Sequence, residues 1–210
     1  VQIAFPPDRS VIEIDPGVTQ VAHDLLGLSR DTRIRSFNED ARLVMQRPPD
    51  RRYDLIMGDA FNDFSVPYHL TTHEFNRRVR AWLDEDGLYL VNIIDGPTAN
   101  FLRAYTRTLR ETFAYVYLAP TQAAWRETPR STFVVIASDT PLEMERLAAS
   151  AAADSSRTIE SLLLSDQQLD SLLAEGRQTL LTDRYAPVDR LLAPAFRNYL
   201  EYAGGGLADM

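Results

Sequence analysis

An α/β fold with a doubly wound, mostly parallel sheet is predicted by three features of this 210-residue chain. Short apolar, β-branched runs alternate with segments whose apolar residues recur at helical spacing through the first two-thirds of the sequence. Acidic residues stand at or just beyond the ends of three successive strand candidates. Gly and Pro mark the boundaries between segments, and no internal repeat appears.

The elements follow in order. Ser10-Val-Ile-Glu-Ile-Asp15 reads as a strand ending in acids. Pro16 suits a first helical turn, and Val18, Val21, Ala22, Leu25 and Leu26 continue at helical spacing to Gly27. Thr32–Phe37 is a second strand candidate, followed by a helix over Asp40–Gln46 that Pro48-Pro49 stops. Tyr53-Asp-Leu-Ile-Met-Gly-Asp59 reads as a buried strand with an acid at its carboxyl end. Thr71-Thr72 is placed to cap a helix running through Leu83, with Glu74 set for a capping box and Phe75, Val79 and Trp82 on one face. Asp86-Gly87 is a turn into the buried strand Leu88–Ile94, and a helix over Thr98–Phe113 follows. Tyr115–Leu118 and Thr132–Ser138 close the α/β part as a hairpin-like pair.

Beyond Ser138 the pattern becomes helical, with candidates at Pro141–Asp154, Ser165–Glu175 and Ala193–Tyr202 and a loop-then-helix stretch over Leu180–Leu192. The expected organisation is a core over residues 1–140 and a helical part over 141–210 packed on it, fraying from Gly204.

Composition removes several function classes. The chain has no Cys, which excludes disulfide frameworks, Cys-ligated zinc, iron–sulfur clusters and thiolate nucleophiles. All 22 basic residues are Arg, so a Schiff-base lysine and a Walker-type phosphate loop are excluded as well. A net charge of -8 argues against a nucleic-acid partner. No apolar run approaches the roughly 20 residues of a membrane helix, so no membrane insertion by this chain is expected. With no signal peptide visible, a cytoplasmic location is the default. The start at Val1 suggests a fragment or a processed product. Ser10, Ser36 and Ser65 lack a nucleophile elbow, which leaves a serine hydrolase without support.

In an open parallel sheet, ligands bind beyond the carboxyl ends of the strands, and here those ends carry Glu13 and Asp15, Glu39 and Asp40, and Asp59. A carboxylate ending the second strand of a Rossmann-like unit accepts two hydrogen bonds from ribose hydroxyls, and an acid after the next strand can accept from an adenine amine. The ordinary reading of each acid is a helix N-cap. Three at one sheet edge shift the balance towards a nucleoside site.

Val11-Ile-Glu-Ile-Asp-Pro16, Asn38-Glu-Asp-Ala-Arg42, Tyr53-Asp-Leu-Ile-Met-Gly-Asp-Ala-Phe61 and Val66-Pro-Tyr-His-Leu-Thr-Thr-His-Glu-Phe75 together resemble the spermidine synthase (polyamine aminopropyltransferase) family. They are most like its domains that also occur fused to transporter-like membrane segments. Asp86–Ile94 and Leu181-Thr-Asp-Arg-Tyr-Ala-Pro-Val188 extend the similarity. The resemblance implies the fold of S-adenosylmethionine-dependent methyltransferases. Its co-substrate would be decarboxylated S-adenosylmethionine or S-adenosylmethionine itself, and its acceptor a small polyamine or amine such as putrescine. Carried over by position, Glu13, with Asp15, holds the ribose hydroxyls, Asp40, with Ala41, meets the adenine amine, and Asp59 stands beside the attacking amine. Asn62, Asp63, Tyr68 and His69 line the substrate pocket in the same reading. The family often forms dimers, which implies a homodimer, and the fused relatives imply a membrane segment in the parent protein.

Two departures from the family pattern stand out. The second acid of the family's pair, three residues past the first, is Asn62 here, with Asp63 next to it. An amide supplies no charge and takes no proton at ordinary pH. The strand and Gly-rich loop that the family carries upstream of the first acidic motif are missing from the ten residues Val1–Ser10, and N-terminal truncation is the favoured explanation. Three functions therefore remain open: aminopropyl transfer, methyl transfer to a small acceptor, and nucleoside or polyamine binding without turnover.

Other candidates are weaker. His69 and His73 are four apart near Glu74 but lack a third ligand, so no metal is expected. His73 reads as an exposed first-turn residue, and Arg77, Arg78 and Arg80 as a solvated helix face. Trp125 is a pocket wall or a plug in the final hairpin, and Asp183 and Tyr185 are placed to cap the helix that follows them.

Overall fold

A computed structural model of the chain describes residues 9–60, 66–143 and 162–205, with side chains through residue 197. It divides into two units, Val1–Asp50 and Arg51–Met210. Most of the helix expected over Pro141–Asp154 lies outside the described residues, as do Asn62 and Asp63.

In the first unit, strand β1 (Ser10–Ile12) pairs in parallel with β2 (Arg35–Phe37), in the register Ile12↔Phe37. Backbone bonds extend the pairing at both ends, from Glu13 N–H to Phe37 O at 2.9 Å and from Arg35 N–H to Arg9 O at 2.9 Å. The predicted strands run longer than these. β1 stops because Asp15 N–H turns to the Glu13 side chain, Oε1 at 2.9 Å, and leaves the ladder. Helix α1 (Pro16–Asp24) begins there with Pro16 in the first turn, where its missing N–H costs nothing. It ends at Asp24, short of Gly27, whose φ of 76° carries the chain into its turn. Helix α2 (Ala41–Met45) matches the predicted segment and buries Val44 and Met45. Glu39 pairs with Arg47, Oε1 to Nη1 at 3.0 Å, and the guanidinium holds the carboxyl below its usual range.

The second unit is built on a four-stranded sheet of order β3-β4-β6-β5: β3 is Tyr53–Gly58, β4 Leu83–Asp95, β5 Tyr115–Pro120 and β6 Ser131–Ser138. β3 and β4 are parallel, whereas β4–β6 and β5–β6 are antiparallel. The sheet is therefore mixed, where the sequence predicts a mostly parallel one. The antiparallel share is larger because β6 inserts between β4 and β5, so the predicted hairpin supplies two of the three pairings. Asp86-Gly87, expected as a turn before the strand, lies within β4. Register jumps from Tyr53↔Leu83 to Leu55↔Leu88, so residues 84–87 form the bulged stretch of β4. Gly87 is required there, since a Cβ would stand 2.9 Å from the Tyr53 carbonyl oxygen.

Helices α3 (His73–Trp82) and α4 (Asn100–Arg110) cover one face of this sheet. Phe75, Val79 and Trp82 of α3 and Phe101, Leu102, Tyr105 and Leu109 of α4 are buried with Tyr89, Val91, Ile93, Phe133 and Val135 of the strands. Each large apolar side chain so buried is worth about 2 kcal/mol, which makes this layer the main source of stability in the unit. The Trp82 ring stacks on Tyr53 at 6.1 Å, tying the end of α3 to the start of β3. Trp125 is buried edge-on to Phe133 at 5.1 Å, so it plugs the β5–β6 hairpin. Helices α5 (Asp166–Ala174) and α6 (Val188–Gly205) pack on α4. α5 opens with a capping box between Ser165 and Gln168. Among the described residues no helix is long and apolar enough to cross a membrane.

Asp95 closes β4 and is fully buried. Its carboxylate accepts the backbone N–H groups of Gly96 at 2.7 Å and Leu102 at 2.9 Å, which fastens the β4–α4 connection and the first turn of α4. The connection includes Ala99, buried with a φ of 48°, a left-handed conformation that only an enforced fold sustains. Burial dominates the carboxyl's titration and pushes it up to about 6, against the opposing pull of the backbone donors and Arg103. A raised carboxyl favours the folded state where it is protonated. Its contribution is complete below an unfolded value near 3.8 and is lost as pH rises through about 6. The shift is worth about 3 kcal/mol. Carboxyl-carbon NMR is expected to give Asp95 a midpoint near pH 6. Between pH 4 and 7 wild type should lose about 2 kcal/mol of stability that Asp95→Asn does not lose, read by urea denaturation.

Candidate functional site

Glu13, Asp15, Asp40 and Asp59 stand just past the carboxyl ends of strands. In the first unit Glu13 directly follows β1, and its Oε1 is fixed by the Asp15 N–H at 2.9 Å. Asp15 is the N-cap of α1, accepting from Gly17 N–H at 2.8 Å, and Asp40 is the N-cap of α2, accepting from Arg42 N–H at 2.7 Å. Ala41 is the first residue of α2. Asn38 joins the two strand ends, because its amide donates to Glu13 O at 3.3 Å and to Thr19 Oγ1 at 2.7 Å. The structure thus brings Glu13, Asp15 and the β2–α2 turn together. Glu13 is half-buried in a fixed rotamer, and its Oε2 has no hydrogen-bond partner among the described residues. Such a carboxylate fits a vicinal pair of hydroxyl donors.

In the second unit Asp59 follows Gly58, the last residue of β3, and its side chain is exposed. The register Met57↔Leu90 and Gly58↔Val91 sets Asp59 opposite Asn92 of β4. Side chains alternate along a strand, so the pairs Leu55/Leu88, Met57/Leu90 and Asp59/Asn92 lie on one face, two apolar and the last polar. Asn92 Nδ2 donates to Asp59 Oδ1 at 2.9 Å. An ionised carboxylate only accepts, so the amide nitrogen is necessarily the atom that faces it. Asn92 was not among the residues the sequence singled out. Its signal was present as the one polar residue in Leu88-Tyr-Leu-Val-Asn-Ile-Ile94.

Asp59 is held from below as well. Gly58 packs against the buried Tyr89 hydroxyl, and a Cβ there would lie 2.9 Å from it. That hydroxyl is 3.3 Å from the Tyr105 hydroxyl, which reaches Asn76 Oδ1 at 3.4 Å, and burial pushes Tyr89 up to about 12. The three polar side chains form a neutral, buried seam under the end of β3.

Tyr68 and His69 occupy a short 3-10 turn anchored by buried Leu70, with Tyr68 exposed and its ring edge-on to His69 at 5.7 Å. His73 is not the exposed residue that was expected. It is half-buried, its Nδ1 lies 3.1 Å from Thr112 Oγ1, and its backbone N–H donates to Leu181 O at 2.8 Å. Among the described residues no group of three His, Asp or Glu is placed to hold a metal. The capping box expected of Glu74 does not form. Thr72 is the N-cap of α3, which makes Phe75 the third helical residue, and Glu74 accepts Asp183 N–H at 3.0 Å. Asp183 does not cap the helix after it; its carboxylate accepts from Thr72 Oγ1 at 2.7 Å and clasps the Leu181–Val188 stretch to the start of α3.

No protein-family model matches the chain. Its fold is α/β methyltransferase-like, with a mixed sheet and helices. A probable spermidine synthase from Corynebacterium glutamicum superposes with a TM-score of 0.67 at 18% identity, covering 81% of this chain and 62% of that one. Human methyltransferase-like protein 13, solved with SAH, gives 0.54 at 18% identity, covering 86% and 77%. In sequence the chain is spermidine synthase-like. It is 25% identical over 190 residues to the polyamine aminopropyltransferase of Vibrio vulnificus, covering 86% of this chain and 60% of that protein's length. Over 133 residues it is 30% identical to the N-terminal histidine N-methyltransferase of Emericella nidulans, 61% of this chain and 24% of the relative.

The close contact under Gly58 yields a direct test of the support for Asp59. Gly58→Ala forces a Cβ against the Tyr89 hydroxyl and should cost about 1–3 kcal/mol, read as a lowered Tm. Adding Tyr89→Phe removes the nearest atom, so the double variant should recover part of that loss.

Proposed function

We propose that the chain is the transferase domain of an aminopropyltransferase, moving an aminopropyl group from decarboxylated S-adenosylmethionine to a small amine such as putrescine. The observation that carries the reading is Asp59, an exposed carboxylate at the carboxyl end of a strand in a parallel pair, where open α/β sheets present their ligands. The spermidine synthase-like sequence supports it. In this reading Glu13 accepts from the ribose hydroxyls, Asp15 fixes the turn that orients Glu13, and Asp40 with Ala41 meets the adenine. Asp59 orients the attacking amine and accepts its proton, while Asn62, Asp63, Tyr68 and His69 line the acceptor side. The amine nitrogen forms a bond to the propyl carbon attached to the sulfonium. The carbon–sulfur bond breaks with its electron pair going to sulfur, and neutral methylthioadenosine leaves. The proton lost by the amine passes to Asp59. A net charge of -8 favours the approach of a polycationic acceptor.

Methyl transfer from S-adenosylmethionine is the second reading, favoured by Asn62 in place of the family's second acid and by the similarity to a histidine N-methyltransferase. The two separate on their by-products. Incubation with putrescine and decarboxylated S-adenosylmethionine should release methylthioadenosine. S-adenosylhomocysteine formed from S-adenosylmethionine instead would overturn aminopropyl transfer in favour of methyl transfer.

The assigned roles divide in the same assay. Glu13→Gln gives up a charge-assisted pair of hydrogen bonds and should weaken methylthioadenosine binding about 10–100-fold by calorimetry. Asp59→Asn should leave that affinity nearly intact and lower kcat by about 10²–10⁴-fold.

A further inference from the structure

Arg103, Arg107 and Arg110 share one face of α4, at i, i+4 and i+7, and the fold provides for them unequally. Arg103 is buried and satisfied. Its Nη2 donates to Asn100 Oδ1 at 2.7 Å and its Nη1 to Glu175 Oε2 at 3.2 Å. Gly176 makes room for it, since a Cβ there would stand 2.7 Å from Nη2. Arg110 forms an exposed pair with Asp170 at 2.7 Å. Arg107, between them, has no ion pair among the described residues. Its Nη1 reaches only the Arg177 carbonyl, at 3.5 Å, and its Nη2 is enclosed without a hydrogen-bond partner. Burial, and after it the charge of Arg103, lower its pKa from the ordinary arginine value. The negative end of the α4 dipole accounts for a basic residue in this last turn. It does not account for a guanidinium drawn in from water and left unsatisfied.

Arg107 lines a groove of about 470 Å³ between α4 and α5. Leu173, Ala174 and Leu180 give the groove apolar walls, and Leu180 is exposed there. Its charged groups are Arg107, Arg110, Glu111 and Asp170, two of each sign. Arg110 and Asp170 neutralise each other, which leaves Arg107 as the cation of the lining that lacks a counter-ion among the described residues.

We infer that this groove binds a small aliphatic carboxylate on Arg107. A turn of the Arg107 side chain gives up only the long contact to Arg177, and the carboxylate then accepts two parallel N–H bonds from the guanidinium fork. The aliphatic tail lies against Leu173, Ala174 and Leu180, removing their apolar surface from water. Asp170 and Glu111 set the charge class, because two acids in the lining repel a dianion such as phosphate more strongly than a monoanion. The groove is built from α4, α5 and the segment after α5, none of which carries the strand-end acids, so the inference goes beyond the transferase reading and does not depend on it.

NMR on the arginine Nε–Hε groups tests it, with hexanoate as the probe and the neutral isostere hexanamide as control. The signal missing from Arg107→Gln identifies Arg107, and in wild type it should shift saturably with hexanoate and not with hexanamide. Followed at the Leu173 and Leu180 backbone amides, Arg107→Gln should weaken hexanoate at least about tenfold, the loss of hydrogen bonds between charged partners. Arg107→Lys keeps the charge without the fork and should weaken it about threefold or more. A merely structural Arg107 would lower the Tm of these variants and leave hexanoate affinity where it was. No saturable shift in wild type, hexanamide binding as tightly as hexanoate, or phosphate binding more tightly overturns the inference. Unchanged hexanoate affinity in Arg107→Gln overturns it as well. Should that variant fail to fold, unchanged affinity in Arg107→Lys does the same.

Discussion

Parallel pairing of β3 with β4 is the constraint from which the candidate site follows. A parallel ladder cannot slip by one residue without turning every side chain to the other face, so the register Gly58↔Val91 decides that Asp59 meets Asn92 and not Ile93. That register is reached only after the excursion at residues 84–87, which requires Gly87 beneath the Tyr53 carbonyl. It is then locked by Gly58, whose missing side chain is filled by Tyr89. Two glycines, Gly58 at the end of β3 and Gly87 of β4 against its first residue, thus set the position of a carboxylate. Neither has a positive φ; both are needed for close approach.

Element types and their order were legible in the sequence because the relevant signals are local. Helix α2 was predicted almost to the residue, since Asp40 caps it and Pro48-Pro49 follows, and α5, expected over Ser165–Glu175, forms over Asp166–Ala174. The errors arose where a distant partner overrode a local rule. Glu74 sits where a capping box would put it if Thr71 were the cap, but the Asp183 backbone, 109 residues away, takes its carboxylate. The placement of β6 between β4 and β5 is invisible to periodicity, which gives the strands but not their order. Asn92 went unremarked for the same reason: its meaning depends on which residue of another strand lies opposite.

In the first unit a capping carboxylate is held in one rotamer by its cap, and capping does not by itself preclude a ligand contact. Asp15 and Asp40 each accept a helix N–H, at 2.8 and 2.7 Å, and a carboxylate has about four acceptor sites. The cap locks the rotamer, which is what a ligand contact needs. Glu13 is fixed in the same way without capping anything, because the bond from Asp15 N–H falls within the turn itself. A sequence reading that treats cap and ligand as competing explanations therefore sets up a choice the geometry does not demand.

Asp59 and Asp95 close neighbouring parallel strands of one sheet, and their environments send the same residue type in opposite directions. Asp95 is buried, surrounded by backbone N–H donors, and raised to about 6 because removal from water outweighs those bonds. All its acceptor capacity points into the chain, so it shapes the β4–α4 connection and has nothing left for a ligand. Asp59 is exposed and, among the described residues, accepts a single amide N–H, which orients it without exhausting it. Position at a strand end alone would nominate both. Hydrogen-bond satisfaction separates them: a group whose lone pairs are spent inside the fold holds the structure, and a group fixed by one bond with the rest turned outward is prepared to meet something else. By that criterion Asp59, with Asn92 at its side, is the one of the two that is placed to meet a ligand.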